Sequence, residues 1–501
     1  MSLAIGAMRS GGGLTARASI ASAMLRRSPR ETLIVDREGE WTVAAMAKLA
    51  ERVAAGLQAR GVGAGDRVAA LQELSVAALA TWWGANRLGA VYMPINPLWP
   101  GALTSEVLRI RQPALVVRDA EIKLPNAATT RFANTTYRAL LDGKGTSSGL
   151  ATGDFEADAV IVHNSGLPGI RRGVRASSVA LSTMATGMQR CYPEEARVLL
   201  TTGLCYMGTL LAAYGSVLRG GSVALLPGLR ADGFWPAIDR FGVTAASLVS
   251  PSLDDLLRAP PAASDRYHSL ELVAAPPGTR LGWAARERFG VHWVAGLAKT
   301  EACGAVSTDL DPDPEHGAGW CLPPFEARVV DAVGHEVEIG EVGELALRAS
   351  SPWELPAGYA DPPGQGVALW RDGWLHTGWR VKMGGDRRVI PEAQLSMYPL
   401  VARKDGYMFI EDVETEALRS VTGTYATYAA ELPGPEGDEL VLFLAGNAKV
   451  RAKIAMQLRS AIPEYGLPDR VVSCTELPPR TGLLEIPRDA WSLDEFLGRL
   501  S

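Results

Sequence analysis

The stretch of sequence that organises this chain is VIVHNSGLPGIRRGV, residues 160–174. Its apolar start is typical of a buried strand, and it runs directly into a glycine-rich loop that ends in Arg171 and Arg172. Glycines let the backbone adopt positive φ and bring N–H groups close to an anion. A strand, such a loop and a cation in this order predict a phosphate-binding loop. Most glycine-rich loops are only turns, so the rest of the chain decides between the two.

Length and composition describe a globular protein of more than one domain. The 501 residues are too many for one core, and 47% of them are hydrophobic against 21% charged. The 50 Lys and Arg residues against 55 Asp and Glu residues leave a net charge of −5. This balance argues against nucleic acid as a partner, because phosphate neutralisation needs a basic face. No apolar run approaches the roughly 18 residues of a membrane span, so no membrane partner is expected.

The cysteines and the N-terminal segment indicate in which cellular compartment the protein is expected. Five cysteines, odd in number and far apart, suggest reduced thiols in a cytoplasmic protein. Residues 1–30 contain Gly, Ser, Ala and Arg with no acidic residue before Glu31, which is typical of an organelle transit peptide. We favour the alternative, an irregular start followed by a surface helix over residues 18–27.

Strand and helix patterns alternate along the first 300 residues. Thr42 is predicted to cap a helix over residues 43–60, and a second helix is predicted over residues 75–88. Apolar runs predict strands at residues 67–71, 89–94, 115–118, 159–162, 197–200, 222–226, 245–249 and 291–295. This alternation predicts an α/β fold of parallel sheets with helices on both faces.

The pattern changes after about residue 317. Short strand patterns at residues 328–331, 344–348 and 370–376 predict a small β-rich subdomain over about 317–400. We place a domain boundary near residues 400–405, which gives an N-terminal domain of residues 1–403 and a mobile α+β C-terminal domain of residues 404–501. The tail is predicted to hold helices near 413–419 and 452–461 and strands near 425–431, 440–445 and 470–474.

Collinear segments resemble the adenylate-forming superfamily, which includes acyl-CoA synthetases, aryl-acid ligases and amino-acid adenylation domains. The matching segments are GVGAGDRV at 61–68, GAVYMPINP at 89–97, GEVGEL at 340–345 and RDGWLHTG at 371–378. The resemblance covers about residues 20–490 and implies a large N-terminal domain with two parallel-type sheets and a small C-terminal domain. It also implies a reaction in which a carboxylic acid and ATP form an acyl-AMP, which most members pass to a thiol.

Residues 160–174 align with the family's phosphate loop without a gap. The resemblance implies a vestigial nucleotide-binding backbone at Ser165, Gly166, Gly169 and Gly173. The family's phosphate-binding hydroxyls are replaced by Asn164, Leu167 and Pro168. Arg172 stands at the family's lysine and is the residue that meets a phosphate if the site is active.

The segment LAKTE at residues 297–301 occupies the place of the family's YG.TE motif. The resemblance implies that Thr300 approaches the adenylate phosphate and that Glu301 holds Mg²⁺. Leu297 replaces the aromatic residue that faces adenine, and its neighbours Gly296 and Ala298 are assigned to the substrate pocket. The structural alternative for Thr300 and Glu301 is a helix N-terminal cap pair.

Two positions depart from the family in the chemistry that they carry. Trp379 replaces the Asp that binds the ribose hydroxyls, and its bulk is expected to fill part of the nucleotide pocket. Glu485 stands at the catalytic lysine, where a cation should stabilise the reacting groups. The hinge region keeps Arg403 and Asp405.

The acid-binding region is TGLCYMG at residues 202–208. By resemblance, Cys205, Tyr206 and Gly208 belong to the substrate pocket, with Cys205 at a position where the family usually has His. No Asp is present there to bind an α-amino group, so an amino-acid substrate is disfavoured. We expect Cys205 to be a buried inert thiol and not a nucleophile.

These departures leave three hypotheses. The leading one is a non-adenylating pseudoenzyme or repurposed protein that binds an acyl or aryl ligand, its activated form, a carrier protein or a pathway enzyme. The alternative is an atypical AMP-forming acid ligase, with Arg172 on phosphate and Thr300-Glu301 holding ATP-bound Mg²⁺. The third is an acyl-transfer enzyme that accepts a preformed activated acid.

Overall fold

A computed structural model shows the fold. It describes residues 20–99, 101–125, 131–142, 155–163, 172–247, 253–262, 265–275, 281–297, 299–313, 317–331, 334–360, 370–391, 400–403, 406–409, 424–434, 437–446, 468 and 470–474.

The elements are numbered along the chain. The strands are β1 Thr32–Val35, β2 Glu40–Thr42, β3 Arg67–Leu71, β4 Val91–Ile95, β5 Leu115–Arg118, β6 Asn134–Thr136, β7 Asp158–His163, β8 Gly173–Ser177, β9 Arg197–Leu200, β10 Ser222–Leu225, β11 Ala245–Ser247, β12 Leu272–Ala275, β13 His292–Leu297, β14 Val306–Ser307, β15 Gly319–Cys321, β16 Phe325–Val330, β17 Val342–Ala349, β18 Gly358–Tyr359, β19 Trp370–Arg371, β20 Trp374–Met383, β21 Arg388–Pro391, β22 Leu400–Arg403, β23 Gly406–Phe409, β24 Thr424–Gly434, β25 Gly437–Gly446 and β26 Arg470–Cys474. The helices are α1 Ile20–Leu25, α2 Val43–Gln58, α3 Val76–Arg87, α4 Gly101–Arg111, α5 Tyr137–Leu141, α6 Ser178–Met188, α7 Met207–Leu218, α8 Phe234–Phe241, α9 Leu253–Arg258 and α10 Leu281–Phe289, with 3₁₀ turns at Ala231–Gly233 and Pro352–Glu354.

Helix starts follow the capping chemistry of the sequence. Thr42 caps α2 as predicted, its hydroxyl accepting from the backbone N–H of Ala45 at 3.2 Å. Ser75 caps α3 in the same way, so the predicted second helix is also confirmed, one residue shorter at each end. Each hydroxyl satisfies an N–H that the helix itself leaves unbonded.

The first sheet runs in the order β18-β8-β7-β4-β3-β5-β6. The strands from β7 to β6 pair in parallel, and β8 and β18 add antiparallel to one side. Both faces of this sheet are apolar. On β3, Val68 and Ala70 join one core cluster while Ala69 and Leu71 join another. A strand buried on both faces is what a parallel sheet covered by helices requires.

The second sheet follows the path β16-β17-β20-β21-β15-β14-β13-β12-β11-β9-β10-β1-β2. Its part from β13 to β1 is parallel. On β9, Val198 and Leu200 point into the cluster that also receives Val68, while Leu199 points into a third cluster. One apolar layer therefore lies between the two sheets, and each sheet has a further apolar layer outside it.

Beyond β13 the second sheet continues with antiparallel pairs, through β14, β15, β21, β20 and β17 to β16. The change of character predicted near residue 317 thus begins at β14. Farther along, β22 pairs with β23, and β24, β25 and β26 form a three-stranded sheet. The predicted strand at residues 470–474 is confirmed, whereas the predicted tail helices lie outside the described residues. The domain limit at 403/404 remains a prediction.

Candidate functional site

The carboxyl ends of two parallel strands, one from each sheet, lead into the candidate site, which is where open α/β sheets bind ligands. In the first sheet β7 ends at His163, ahead of the predicted phosphate loop. In the second sheet β13 ends at Leu297, which is buried. The turn that follows β13 carries Thr300 and Glu301.

That turn is held against α6 by a close backbone approach. Gly304 adopts a φ of +78°, and a Cβ on Gly187 would lie 2.3 Å from the Gly304 carbonyl oxygen. Only glycine fits at such positions. The prediction that Thr300 and Glu301 cap a helix is wrong, because the chain turns here directly from β13 into antiparallel β14.

Glu301 is a buried carboxylate with 1% of its surface exposed. The hydroxyl of Tyr359 donates a hydrogen bond to Oε1 of Glu301 at 2.6 Å. The guanidinium carbon of Arg172 lies 4.9 Å from the centre of the same tyrosine ring. The indole of Trp370 meets this ring edge-on at 5.7 Å. Tyr359 therefore connects two predicted site residues that stand 129 positions apart in the sequence.

Strand pairing explains how Tyr359 reaches this place. β18 pairs with β8, with Tyr359 opposite Val174, one residue after the loop's exit at Gly173. The sequence analysis missed Tyr359, because nothing in its local pattern links it to a carboxylate 58 residues earlier. Strand pairing places Tyr359 at the edge of the first sheet, and its contact with Glu301 joins this edge to the turn after β13 of the second sheet.

The predicted acid-binding residues lie at the start of α7. The Tyr206 hydroxyl accepts a hydrogen bond from the side-chain amide of Asn96 at 3.4 Å, and the Thr202 and Thr209 hydroxyls are 2.5 Å apart. Cys205 is half-buried and not fully buried as expected, but desolvation of its thiol raises the pKa to about 12. The thiol is therefore protonated at neutral pH, which supports the expectation of an inert side chain. A Cβ on Gly208 would meet no atom within 4 Å, so this position faces open space.

Other predicted pocket residues have plainly structural surroundings. Gly296 pairs with Ser307 in the sheet, and a Cβ there would lie 2.8 Å from the Val306 carbonyl oxygen. Trp379 is half-buried and packs against the large core cluster that also contains Val68 and Val198. Its backbone N–H donates to the Thr377 hydroxyl at 3.2 Å. That Trp379 fills part of a nucleotide pocket remains a prediction.

Part of the predicted site lies outside the described residues. This holds for Ser165, Gly166, Gly169, Ala298 and Glu485. Arg403 ends β22, but the structure describes only its backbone. Close to Trp379 in the sequence, Asp386 forms an ion pair with Arg388 at 2.6 Å, so its carboxylate is engaged in a surface turn.

The described part of the chain contains no group of three or more His, Cys, Asp and Glu side chains placed to hold a metal ion. A cavity of about 450 Å³ opens among β15, β16, β20 and β21, and its lining includes none of the predicted site residues. Its two carboxylates, Glu326 and Glu336, lie near Arg348 and Arg387 respectively, so its charges largely cancel. None of the described helices is long and apolar enough to cross a membrane.

Comparison with known proteins identifies relatives over most of the chain. A family model for AMP-binding enzymes matches residues 22–354. The indoleacetate–CoA ligase of Aromatoleum aromaticum is 26% identical over 507 residues, covering 92% of this chain and 94% of the relative. The sulfoacetate–CoA ligase of Cupriavidus necator is 28% identical, covering 67% of this chain and 69% of the relative.

Solved structures show the same fold. A double mutant of o-succinylbenzoate CoA synthetase from Bacillus subtilis, bound to a product analogue, superposes with a TM-score of 0.78 at 18% identity, covering 94% of this chain and 97% of that one. ATP-bound MatB from Rhodopseudomonas palustris gives a TM-score of 0.67 at 20% identity, with the same coverages. The predicted α/β architecture is therefore confirmed.

Proposed function

The chain belongs to the AMP-binding enzyme family, and we propose that it is an atypical AMP-forming ligase that activates a small acyl or aryl acid and transfers it to a thiol. The relatives from Aromatoleum aromaticum and Cupriavidus necator are CoA ligases. These comparisons give no support to the hypothesis of a non-adenylating protein, which rested on the altered loop, Trp379 and Glu485. They favour the ligase alternative instead.

The observation that carries the proposal is the arrangement of Glu301, Tyr359 and Arg172. A buried carboxylate at the end of a parallel strand is a suitable ligand for Mg²⁺, which typically uses one or two protein carboxylates together with substrate phosphates. Glu301 is therefore the residue that would hold Mg²⁺, which would supply neutralisation of phosphate charge when bound.

Arg172 is the cation of this arrangement. It precedes Gly173 at the exit of the predicted phosphate loop, and its stacking on Tyr359 keeps the guanidinium beside the carboxylate's hydrogen-bond donor. A guanidinium can donate two parallel hydrogen bonds to a phosphate. In this proposal Arg172 binds the phosphates of ATP. In other members of the family, a lysine and several hydroxyls of the phosphate loop bind them.

The departures from the family set the expected rate. A tryptophan at position 379 accepts no hydrogen bond from a ribose, and Glu485 brings a negative charge to a place where a cation stabilises the reacting groups. We expect weak ATP binding and slow adenylation compared with ordinary members. The substitutions Trp379→Asp and Glu485→Lys together should strengthen ATP binding.

The test is ATP–pyrophosphate exchange with Mg²⁺ and a panel of carboxylic acids, with MgATP binding measured alongside by calorimetry. The panel is indoleacetate, sulfoacetate, benzoate and o-succinylbenzoate, followed by CoA as the thiol acceptor. We expect acid-dependent exchange that Arg172→Met abolishes. Arg175→Met is the matched control, because this arginine lies on the adjoining strand β8 and pairs with Asp158 at 2.7 Å outside the site. Absence of both exchange and MgATP binding would overturn the proposal.

A further inference from the structure

A buried arginine contacts His163 and Gly173, the two residues that flank the predicted phosphate loop. Arg111 is the last residue of α4, and none of its surface is exposed. Its Nε donates to Nε2 of His163 at 3.2 Å, and Nη1 donates to the carbonyl oxygen of Ala360 at 3.0 Å. A guanidinium is costly to bury unless its N–H groups are satisfied. Its position is therefore specified by these partners.

The same guanidinium touches both ends of the loop. His163 and Gly173 are directly opposite each other in the β7–β8 pair, and the loop connects them. A Cβ on Gly173 would lie 2.8 Å from Nε of Arg111, so the backbone at the loop's exit packs directly on the guanidinium. The entrance of the loop is held through the hydrogen bond from Arg111 to His163. The His163 ring also meets Trp99 edge-on at 5.7 Å.

Ala360 extends this contact to the carboxylate side of the site. Its backbone N–H donates to the Gly173 carbonyl oxygen at 2.7 Å. The preceding residue, Tyr359, is the one that donates to Glu301. Arg111 thus joins the two ends of the loop to the strand that carries the hydrogen bond to Glu301.

Only an arginine can make this set of contacts. The guanidinium presents five N–H donors in a rigid planar fork, whereas a lysine has one flexible ammonium group. Because Nε2 of His163 accepts a hydrogen bond, that nitrogen carries no proton, and the imidazole is neutral with its proton on Nδ1. The pair therefore adds one buried positive charge at the base of the loop.

We propose that Arg111 is a positioning residue that holds His163 and Gly173, the two ends of the predicted phosphate loop, in place for ATP binding, an inference that rests on the proposed ligase function. A loop held at both ends loses less conformational freedom when phosphate binds. The smaller loss of freedom matters more in this chain than in ordinary members of the family, because Asn164, Leu167 and Pro168 replace the hydroxyls that bind phosphate there. Arg111 does not contact the reacting atoms in this proposal.

The test compares Arg111→Lys with Arg67→Met. Arg67 donates to the carbonyl oxygen of Arg111 at 2.8 Å, so its removal perturbs the same helix end without touching the loop. We expect Arg111→Lys to raise KM for MgATP by about tenfold, as the loss of one or two hydrogen bonds predicts. Its KM for the acid should stay within about twofold. Arg67→Met should leave both constants close to those of the wild type.

A second readout needs no activity. Hydrogen–deuterium exchange of the β7 and β8 amides should become faster in Arg111→Lys and in His163→Leu, and remain unchanged in Arg67→Met. If the wild type shows no ATP–pyrophosphate exchange but these amides respond as expected, the ligase function fails while the anchoring role stands. If Arg111→Lys does not fold, His163→Leu gives the same test with the arginine in place. Equal effects on both KM values, or unchanged amide exchange in both variants, would overturn the proposal.

Discussion

Removing one hydroxyl tests the hydrogen bond on which the proposed Mg²⁺ site depends. Tyr359→Phe deletes the donor 2.6 Å from Glu301 but keeps the ring that Arg172 and Trp370 contact. A hydrogen bond to a charged group contributes about 1.5–3 kcal/mol. Water has little access to replace it, because only 1% of Glu301 is exposed. The Tyr359→Phe variant should therefore lose about 1.5–3 kcal/mol of stabilisation of the Glu301 carboxylate.

This loss should appear in two measurements. The free energy of unfolding in urea, without nucleotide, should fall by about 1–3 kcal/mol because the carboxylate loses a partner. In ATP–pyrophosphate exchange, the Mg²⁺ concentration for half-maximal rate should rise, and kcat/KM for ATP should fall by about 10- to 100-fold. Tyr267→Phe is the matched control, because that side chain is 79% exposed.

A particular result would refute the reasoning. If Tyr359→Phe keeps the wild-type Mg²⁺ dependence and the wild-type unfolding free energy, the hydroxyl does not support Glu301. If stability falls but the Mg²⁺ dependence of exchange does not change, the bond is structural and Glu301 is not the metal ligand.

Three further predictions concern the surroundings of the site. Because the pKa of Cys205 is raised to about 12, iodoacetamide should label its thiol at pH 7.5 about a thousandfold more slowly than an ordinary thiol. Rapid labelling of Cys205, detected by mass spectrometry, would contradict this prediction. Arg288 on α10 donates a hydrogen bond to Asp265 at 2.7 Å, and this bond lowers the pKa of the Asp265 carboxyl. Its stabilisation is therefore present above the unfolded pKa of about 3.9 and lost as pH falls through the lower folded value. Asp265→Asn should then be less stable than wild type at pH 7 in urea unfolding, with the difference shrinking in acid. Gly187→Ala places a Cβ 2.3 Å from the Gly304 carbonyl oxygen, so it should displace the turn after β13, lower the melting temperature and reduce exchange. Gly385→Ala, which meets nothing within 4 Å, should do neither.

The elements that the sequence predicted well are those set by local chemistry. The strands at 67–71, 115–118, 197–200 and 470–474 have the predicted bounds. In each, an apolar run specifies a buried strand, and turn residues or a capping hydroxyl specify its neighbours. The collinear motifs likewise predicted the family fold, because they fall on the turns and strand ends that build it.

The site was less predictable because its contacts join distant parts of the chain. The pattern at Thr300 and Glu301 suited a helix cap, but the antiparallel pairing of β13 with β14 imposes a turn. The roles of Arg172 and Glu301 remain predictions, although the structure brings both to Tyr359.

By itself, the sequence determined the elements, the two parallel sheets and the family resemblance, since these depend on residues close together in the chain. Only the tertiary structure decided that Tyr359 meets Glu301 and that Arg111 meets His163, over separations of 58 and 52 residues. The physical reason is that strand order and burial, which no local pattern encodes, select the partners of a buried polar group. The strand ends at His163 and Gly173, which flank the predicted phosphate loop, are therefore best understood through their contacts with Arg111 and with the strand that carries Tyr359.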